Sequence, residues 1–525
     1  MNAAAPGPTL ALSTLLAALL ALLLWHSGAL QSDLGADPDE PAHAVTALML
    51  RDYLAEGLGG SPLAFARAYY ENFPKVALGH YPPGYYLTAG LALLPFADPA
   101  VLLGLQALFL ALLAAATVRF AAPQLGAGAA WSAALLAVAL PPQLKLSVLV
   151  MADFQLALLC LLAAMAWGRF LHSSSVRHSL VFGLLAAAAI LTKGSGLMLA
   201  GLPPLTILFT RRWALLKAPA WWLAAVPVVV LAAPWMLYSA GITGEGMVAQ
   251  SVPDFFRHAV ASYARLLPSA LGWPLLVVAV GTLWRLTAIG WRAGRLGEFE
   301  SVLLAWLTGG VALMLLVPAG VSSRYLAPLL VPLALLAVQS LGCLPVPWGL
   351  RPWLPWGLLL LTLATVGQRP QKTVSGYGTA VARVLVESPA DKAGRWLVAS
   401  DARGEGAMVA AAAFDLDGPV RVSGRLQVLR ASKELGASDW LGRGYRAAFT
   451  EAVALRAHLD QRGIGWVLLD DSPPAERRQA HQALLAEALV VPDSGWQLVG
   501  EERIIRPDLR ETGRLRLFRR AEVQP

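Results

Sequence analysis

Charge is what this sequence has least of. Only 14% of its 525 residues are Asp, Glu, Lys or Arg, while 57% are hydrophobic. A soluble domain of average composition carries about 25% charged residues. The shortage excludes a wholly soluble chain and puts much of this one in a bilayer. Cysteine is nearly missing too. Cys160 and Cys343 both lie in apolar runs. Two are too few for a disulfide framework, they lack metal-ligand spacing, and they read as buried thiols. There is no P-loop, and the glycine-rich "RGEGAM" (403–408) falls short of G-x-G-x-x-G and reads as a turn. Basic patches interleaved with exposed aromatics are also lacking. The net charge of +8 is therefore assigned to cytoplasmic-loop lysine and arginine, and nucleic acid is not expected as a partner.

What is present is a series of apolar runs. They fall at about 9–30, 99–118, 126–143, 154–171, 179–192, 196–210, 219–240, 272–290, 301–318, 326–343 and 353–368, about eleven in all. The first, "TLALSTLLAALLALLLWHSGAL", has no basic region ahead of it and exceeds the apolar part of a signal peptide, so an uncleaved span is expected. The two short runs around Thr192 read as a helical hairpin. "YYLTAGLALLPF" (85–96) suits an interfacial or re-entrant segment better than a crossing. If 85–96 stays on the surface, Arg119, Arg169, Arg177, Arg211, Arg212, Lys217, Arg292, Arg295 and Arg351 all fall at helix ends on one side. That satisfies the positive-inside rule. It predicts a multi-pass protein of an inner (plasma) membrane with a cytoplasmic N-terminus, a first outer loop at 31–98 and an extracytoplasmic C-terminal region.

From about 370 the pattern changes. "RWLVASDARGEGAMVAAAAF" reads as strand, turn and helix, and "AFTEAVALRAHLDQRGIGWVLLDD" as an amphipathic helix and a buried strand. "GWQLVGEERII" and "RLRLFRR" look like closing strands, and "VLRASKELGASDW" (428–440) reads as a surface loop, with an acceptor-binding loop as the alternative. The expected architecture is a polytopic α-helical membrane domain, 1–368, followed by a soluble α/β domain, 369–525.

Several ionisable residues collect at the outer ends of the predicted spans. "GADPDEPAHAV" (35–45) brings Asp37, Asp39, Glu40 and His43 directly after the first span. Asp37 or Asp39 can cap the helix that follows, and an N-cap side chain can also be catalytic. "GHYPPGYYL" (79–87) adds His80, Tyr81, Tyr85 and Tyr86, which also fit an aromatic anchor in the headgroup layer. Asp153 stands at the mouth of the fourth span, where it is either functional or a cap. Lys193 occupies a tight turn between two short helices, either to meet an anion or to snorkel. Arg324 and Tyr325 repeat that arrangement in "GVSSRYLAPLL" (320–330). Acids, cations and aromatics on one membrane face fit a lipid-linked phosphate held by cations, beside a carboxylate that deprotonates an acceptor.

The order of these motifs resembles the membrane-embedded C-type (GT-C) glycosyltransferases. The likeness is to the branch of protein O-mannosyltransferases and lipid A aminoarabinose transferases. It rests on "DEPAH" (39–43), "HYPPGYY" (80–86), "MADF" (151–154), "LTKG" (191–194) and "SRYLAPLLVPLALL" (323–336), spread over about residues 1–345. The resemblance implies inverting transfer of a hexosyl or pentosyl group from a polyprenyl-phosphate donor to an acceptor hydroxyl on a glycan, lipid or protein. It implies Asp39 as base, Glu40 as its neighbour and Asp153 as the second acid. Lys193 and Arg324 would bind the phosphate, and His43, His80, Tyr85 and Tyr325 would contact substrate. His43 lies four residues after Asp39, where the mannosyltransferases often have three, which leaves its role open. No nucleotide site is required, and a divalent metal ion is left open. The alternative is a transporter or flippase of a lipid-linked precursor; the lack of an internal repeat counts against it.

Overall fold

In a computed structural model, residues 6–388, 394–439, 442–492, 494–509 and 512–521 are described, with the backbone alone over 6–13. Among the described residues, six helices are long and apolar enough to cross a membrane: Pro99–Leu125, Asp153–Ser173, Pro219–Glu245, Trp273–Ala293, Glu298–Leu316 and Ser323–Gly342. The pair Ala127–Ala139 and Pro141–Ser147, bent by 64°, makes a seventh if taken as one span. The first run forms a helix of 21 residues, Pro6–His26, and the other runs form shorter helices, among them Val176–Thr192, Gly194–Thr210 and Leu354–Val366. By length and composition, six or seven of the eleven or so expected runs are spanning helices among the described residues, and local breaks divide some of the others. At Leu140 the chain turns extended (φ −71°, ψ 151°), as the ring of Pro141 disfavours helix in the residue before it. At Lys193 it turns extended again (φ −157°, ψ 136°), which makes the hairpin around Thr192. Gly196 lets the two arms touch: a Cβ there would sit 2.5 Å from the Ala189 carbonyl carbon.

Two ends of the bundle are distinct. Asp153, Lys193 and Arg324 lie at one end. At the other, Arg212 bonds the Leu171 carbonyl and, at 2.7 Å, Glu298. Cys343 is exposed at this far end, whereas Cys160 is buried. The thiol expected to be buried is open because it ends the helix Leu330–Gly342 as its C-cap.

The segment 31–98 folds on the first of these ends. Its main helix, Asp39–Glu56, is followed by Pro62–Asn72 and by Gly84–Ala92. The last has nine residues, a rise of about 14 Å, too short to cross a hydrocarbon core of about 30 Å. It packs its buried Tyr85 and Tyr86 inward.

The C-terminal residues build a mixed sheet. Its strands are β1 (Gly394–Ala399), β2 (Leu426–Arg430), β5 (Trp466–Asp470), β6 (Trp496–Ile504) and β7 (Gly513–Arg520), in the order β2-β1-β5-β7-β6. β1 pairs in parallel with β2 and β5, and β7 is antiparallel to both β5 and β6. A two-stranded ribbon, β3 (Gly436–Ala437) with β4 (Arg446–Ala447), stands apart and occupies part of the stretch read as a loop over 428–440, whose residue 440 lies outside the described residues. Alternation along β1 splits its side chains between two cores. Trp396 and Val398 face the core shared with the membrane helices, and Leu397 and Ala399 face a second one with Leu485 and Phe518. Open α/β sheets bind ligands at the ends of such strands. Here that crevice is filled by Arg506, bonded to Asp401 at 2.8 and 2.7 Å.

"RGEGAM" is helical, not a turn: it lies in Ala402–Phe414, whose N-cap Asp401 accepts from the Arg403 and Gly404 amides. Its glycines serve close packing. A Cβ at Gly406 would sit 2.6 Å from Pro41 Cγ, so this helix lies directly on Asp39–Glu56. A buried ion pair ties the same surfaces together: Arg421 meets Asp52 at 2.7 and 3.0 Å, and Tyr69 donates to Asp52 at 3.1 Å. Removing one partner of such a pair leaves an uncompensated buried charge. Asp52→Ala is therefore expected to destabilise the protein by about 3–5 kcal/mol, read as a fall in melting temperature in detergent. An unchanged melt would show that this contact does not hold the sheet to the segment 31–98.

Candidate active site

Helix Asp39–Glu56 begins without a side-chain N-cap. Asp37 Oδ1 instead accepts from the Asp39 amide at 3.0 Å. The Asp39 carboxylate is thereby left for other partners. Its Oδ2 meets Arg324 Nη2 at 2.6 Å and accepts from the Tyr81 hydroxyl at 3.0 Å. Asp37 lies 3.6 Å from the other guanidinium nitrogen of Arg324. Burial alone would raise the Asp39 carboxyl; the Arg324 guanidinium, with His43 and Tyr81, outweighs it and holds the group at about 2.

A second acid–cation pair stands beside the first. Lys193 Nζ donates to Asp153 Oδ1 at 2.7 Å, both side chains being almost fully buried. Asp153 Oδ2 is buried with no partner among the described residues. Tyr325 joins the two pairs: Lys193 Nζ lies 5.2 Å from its ring centroid and the Arg324 guanidinium carbon 5.4 Å. One aromatic ring thus lies next to both cations.

His43 fills the ground behind Asp39. Its Nδ1 is hydrogen-bonded to the Tyr86 hydroxyl at 3.0 Å, and its ring is 4.6 Å from that of Tyr81 and 5.6 Å from that of Tyr85. Tyr85 is in turn held by Gln106 at 2.9 Å. Burial pushes the His43 imidazole down to about 4, against the pull of Asp39. An unfolded histidine titrates near 6.5, so between about 4 and 6.5 the folded chain binds fewer protons than the unfolded one. Stability is expected to fall as pH drops through that window. Melting temperature against pH checks this: His43→Gln should flatten the slope there, and an unaltered slope would show that His43 titrates normally.

Two candidates sit elsewhere. Glu40, next to Asp39 in sequence, points into the protein. Lys372 donates to it at 2.6 Å, the Gly35 and Ala36 amides at 3.0 and 3.2 Å, and the Val150 amide at 3.3 Å. With both oxygens engaged it ties the start of the segment 31–98 to the chain that leads into the sheet. His80 is half-buried at the rim, next to Gly79, whose carbonyl accepts from Thr243 at 3.1 Å. Burial lowers its imidazole against the opposing charges of Glu245 and Asp39. Among the described residues, no group of three His, Cys, Asp or Glu side chains is placed to hold a metal ion.

No protein-family profile and no curated protein matches the sequence. Solved structures do match. The oligosaccharyltransferase of Archaeoglobus fulgidus is 13% identical and superposes over 88% of this chain and 68% of its own, with a TM-score of 0.55. ArnT from Cupriavidus metallidurans, in the apo state, is 17% identical over 96% of this chain and 97% of its own, at 0.55. The arabinofuranosyltransferase AftD from Mycobacteria is 17% identical over 97% of this chain and 40% of its own, at 0.54. All three are GT-C glycosyltransferases. The chain has the GT-C fold.

Within this fold the residues picked from sequence mostly converge: Asp39, His43, Asp153, Lys193, Arg324 and Tyr325 form one cluster, with Tyr85 behind it. Sequence reasoning took Tyr81 and Tyr86 only as anchors, yet both hydrogen-bond within the cluster. It missed Lys75 altogether. This buried lysine donates to the Ala402 carbonyl at 3.4 Å, and burial, helped by Arg430, pushes its amine down to about 7. A lysine in a polar stretch gives no local sign that a distant helix will cover it.

Proposed function

We propose that the chain is an inverting glycosyltransferase that moves a sugar from a polyprenyl-phosphate donor to an acceptor hydroxyl on the outer face of the membrane. The observation that carries this reading is the pairing of Asp39 with Arg324 and of Asp153 with Lys193, both cations next to Tyr325, at one end of the bundle. A structure of the archaeal oligosaccharyltransferase holds a dolichol-phosphate, a lipid of the proposed donor class. Arg212 and the other basic helix ends on the far side favour an extracytoplasmic site by the positive-inside rule.

Asp39 takes the proton of the acceptor hydroxyl. The acceptor oxygen attacks the anomeric carbon from the face opposite the phosphate. The carbon–oxygen bond to phosphate breaks with its electron pair, and polyprenyl phosphate leaves with the configuration inverted. Arg324 and Lys193 receive the developing negative charge. Asp153 and Tyr325 hold the two cations apart. The Tyr81 hydroxyl, kept protonated by burial and by the Asp39 charge, orients the base.

In the structure Asp39 is a poor base, because Arg324 holds it at about 2. General bases work best with a pKa near the working pH. Donor binding resolves this: a phosphate that shares Arg324 weakens its hold on Asp39 and raises the basicity of the carboxylate. The base is then strongest when the donor is present.

The test is purified protein in detergent with a panel of radiolabelled polyprenyl-phosphate sugars and membrane extract as acceptor, with and without EDTA. Release of polyprenyl phosphate names the sugar and reads the metal requirement. Stable binding of the donor lipids with no turnover of any of them would overturn the proposal in favour of lipid transport.

A further inference from the structure

At the end of the bundle away from Asp39 there is a cavity of about 690 Å³. It lies where Pro99–Leu125 gives way to Ala127–Ala139, beside the end of Ser323–Gly342 and the start of Leu354–Val366. Leu125, Val338 and Trp356 form apolar wall, and Gln339 and Arg351 supply polar groups. No Asp or Glu is among the residues that line it. Arg351 is held from behind: its Nε donates to the Val346 carbonyl at 3.2 Å, and its guanidinium carbon lies 5.1 Å from the Trp348 ring centroid. Among the described residues no acceptor meets its Nη1 or Nη2. Gln339 gives its amide hydrogens to Glu300 at 2.7 Å, but its Oε1 is buried with no partner. Trp348 and Trp353 are exposed nearby, as tryptophans are at a membrane–water boundary.

We propose that this cavity binds an anionic phospholipid with a hydroxylated headgroup. Basic pockets between membrane helices take such lipids. The phosphate would meet the free edge of Arg351. A headgroup hydroxyl would donate to Gln339 Oε1, which lacks a donor. The glycerol backbone and the start of an acyl chain would lie along Leu125, Val338 and Trp356. Neither a soluble anion nor a zwitterionic lipid satisfies all three features. The bound lipid would brace Leu354–Val366, the helix that leads to the Lys372–Glu40 pair under the active site.

The experiment uses full-length protein stripped of lipid by detergent exchange. It is titrated with phosphatidylglycerol or with phosphatidylcholine of the same acyl chains, and bound lipid is counted by native mass spectrometry. Wild type should bind phosphatidylglycerol at least about tenfold more tightly, a difference of about 1.4 kcal/mol. Arg351→Gln should lose that preference. Gly128→Leu offers a second route, since a Cβ at Gly128 meets only Trp356 Nε1, at 3.9 Å, so the larger side chain fills the cavity and should displace the lipid without touching a charge. Equal binding of the two lipids by wild type, or an unchanged preference in the variants, would overturn the proposal, and Gly128→Leu decides alone if Arg351→Gln does not fold. Displacement of the lipid by inorganic phosphate at millimolar concentration would also overturn it, by showing a free-anion site.

Discussion

Asp39→Asn is expected to cost about 10²–10⁴-fold in transfer, the usual range for loss of a general base, while the protein folds and inserts normally. The amide is isosteric and can still accept from Tyr81. It loses the charge opposite Arg324, but Asp37 remains 3.6 Å from the same guanidinium, so the arginine is not left without a counter-charge. Donor affinity separates a lost base from a damaged site. In wild type the donor phosphate must compete with Asp39 for Arg324, whose Nη2 is 2.6 Å from the carboxylate. In the variant that competition is gone. KM for the donor should therefore hold or fall while kcat collapses. A variant with full activity would remove Asp39 as base. A variant with weak donor binding and normal kcat would make Asp39 part of the binding site instead.

How much of this site could be read from the sequence depended on how local each signal was. Asp39, Asp153, Lys193 and Arg324 each stand at the end of an apolar run, and the charge rule puts all four ends on one side. That was enough to predict their company, because helices of one bundle bring their ends together. Glu40 shows where the reasoning stops. Its partner Lys372 is 332 positions away, and no periodicity links them, so a carboxylate that turns inward to Lys372 was grouped with Asp39 as its neighbour in the site. The same holds for Asp52 and Arg421, 369 positions apart. The sheet was legible because buried strands and an amphipathic helix have local patterns. The helix lengths were less so: the hairpin break at Lys193 shows as a gap between two apolar runs, but hydropathy sees the run over 126–143 and misses the break within it at Leu140.

Arg324→Met is expected to lower kcat/KM by about 10²–10³-fold, as when one stabiliser of a developing oxyanion is removed. Its effect on pH dependence is more diagnostic. In the free enzyme Asp39 titrates at about 2, so it stays ionised at any ordinary pH. If the donor phosphate draws Arg324 away, Asp39 in the complex moves up toward the ordinary carboxylate value of about 4, or above it, since burial and a neighbouring anion both oppose its charge. Falling pH then removes the base from the donor complex sooner than from the free enzyme. The acid limb of kcat reports the complex and that of kcat/KM the free enzyme. For wild type the kcat limb should lie at higher pH by at least about one unit. In Arg324→Met the main charge that depresses Asp39 is gone in both states, so the two limbs should draw together near the higher value. Superposed limbs in wild type would mean that Arg324 stays on Asp39 throughout turnover, and another group would then have to take the acceptor's proton.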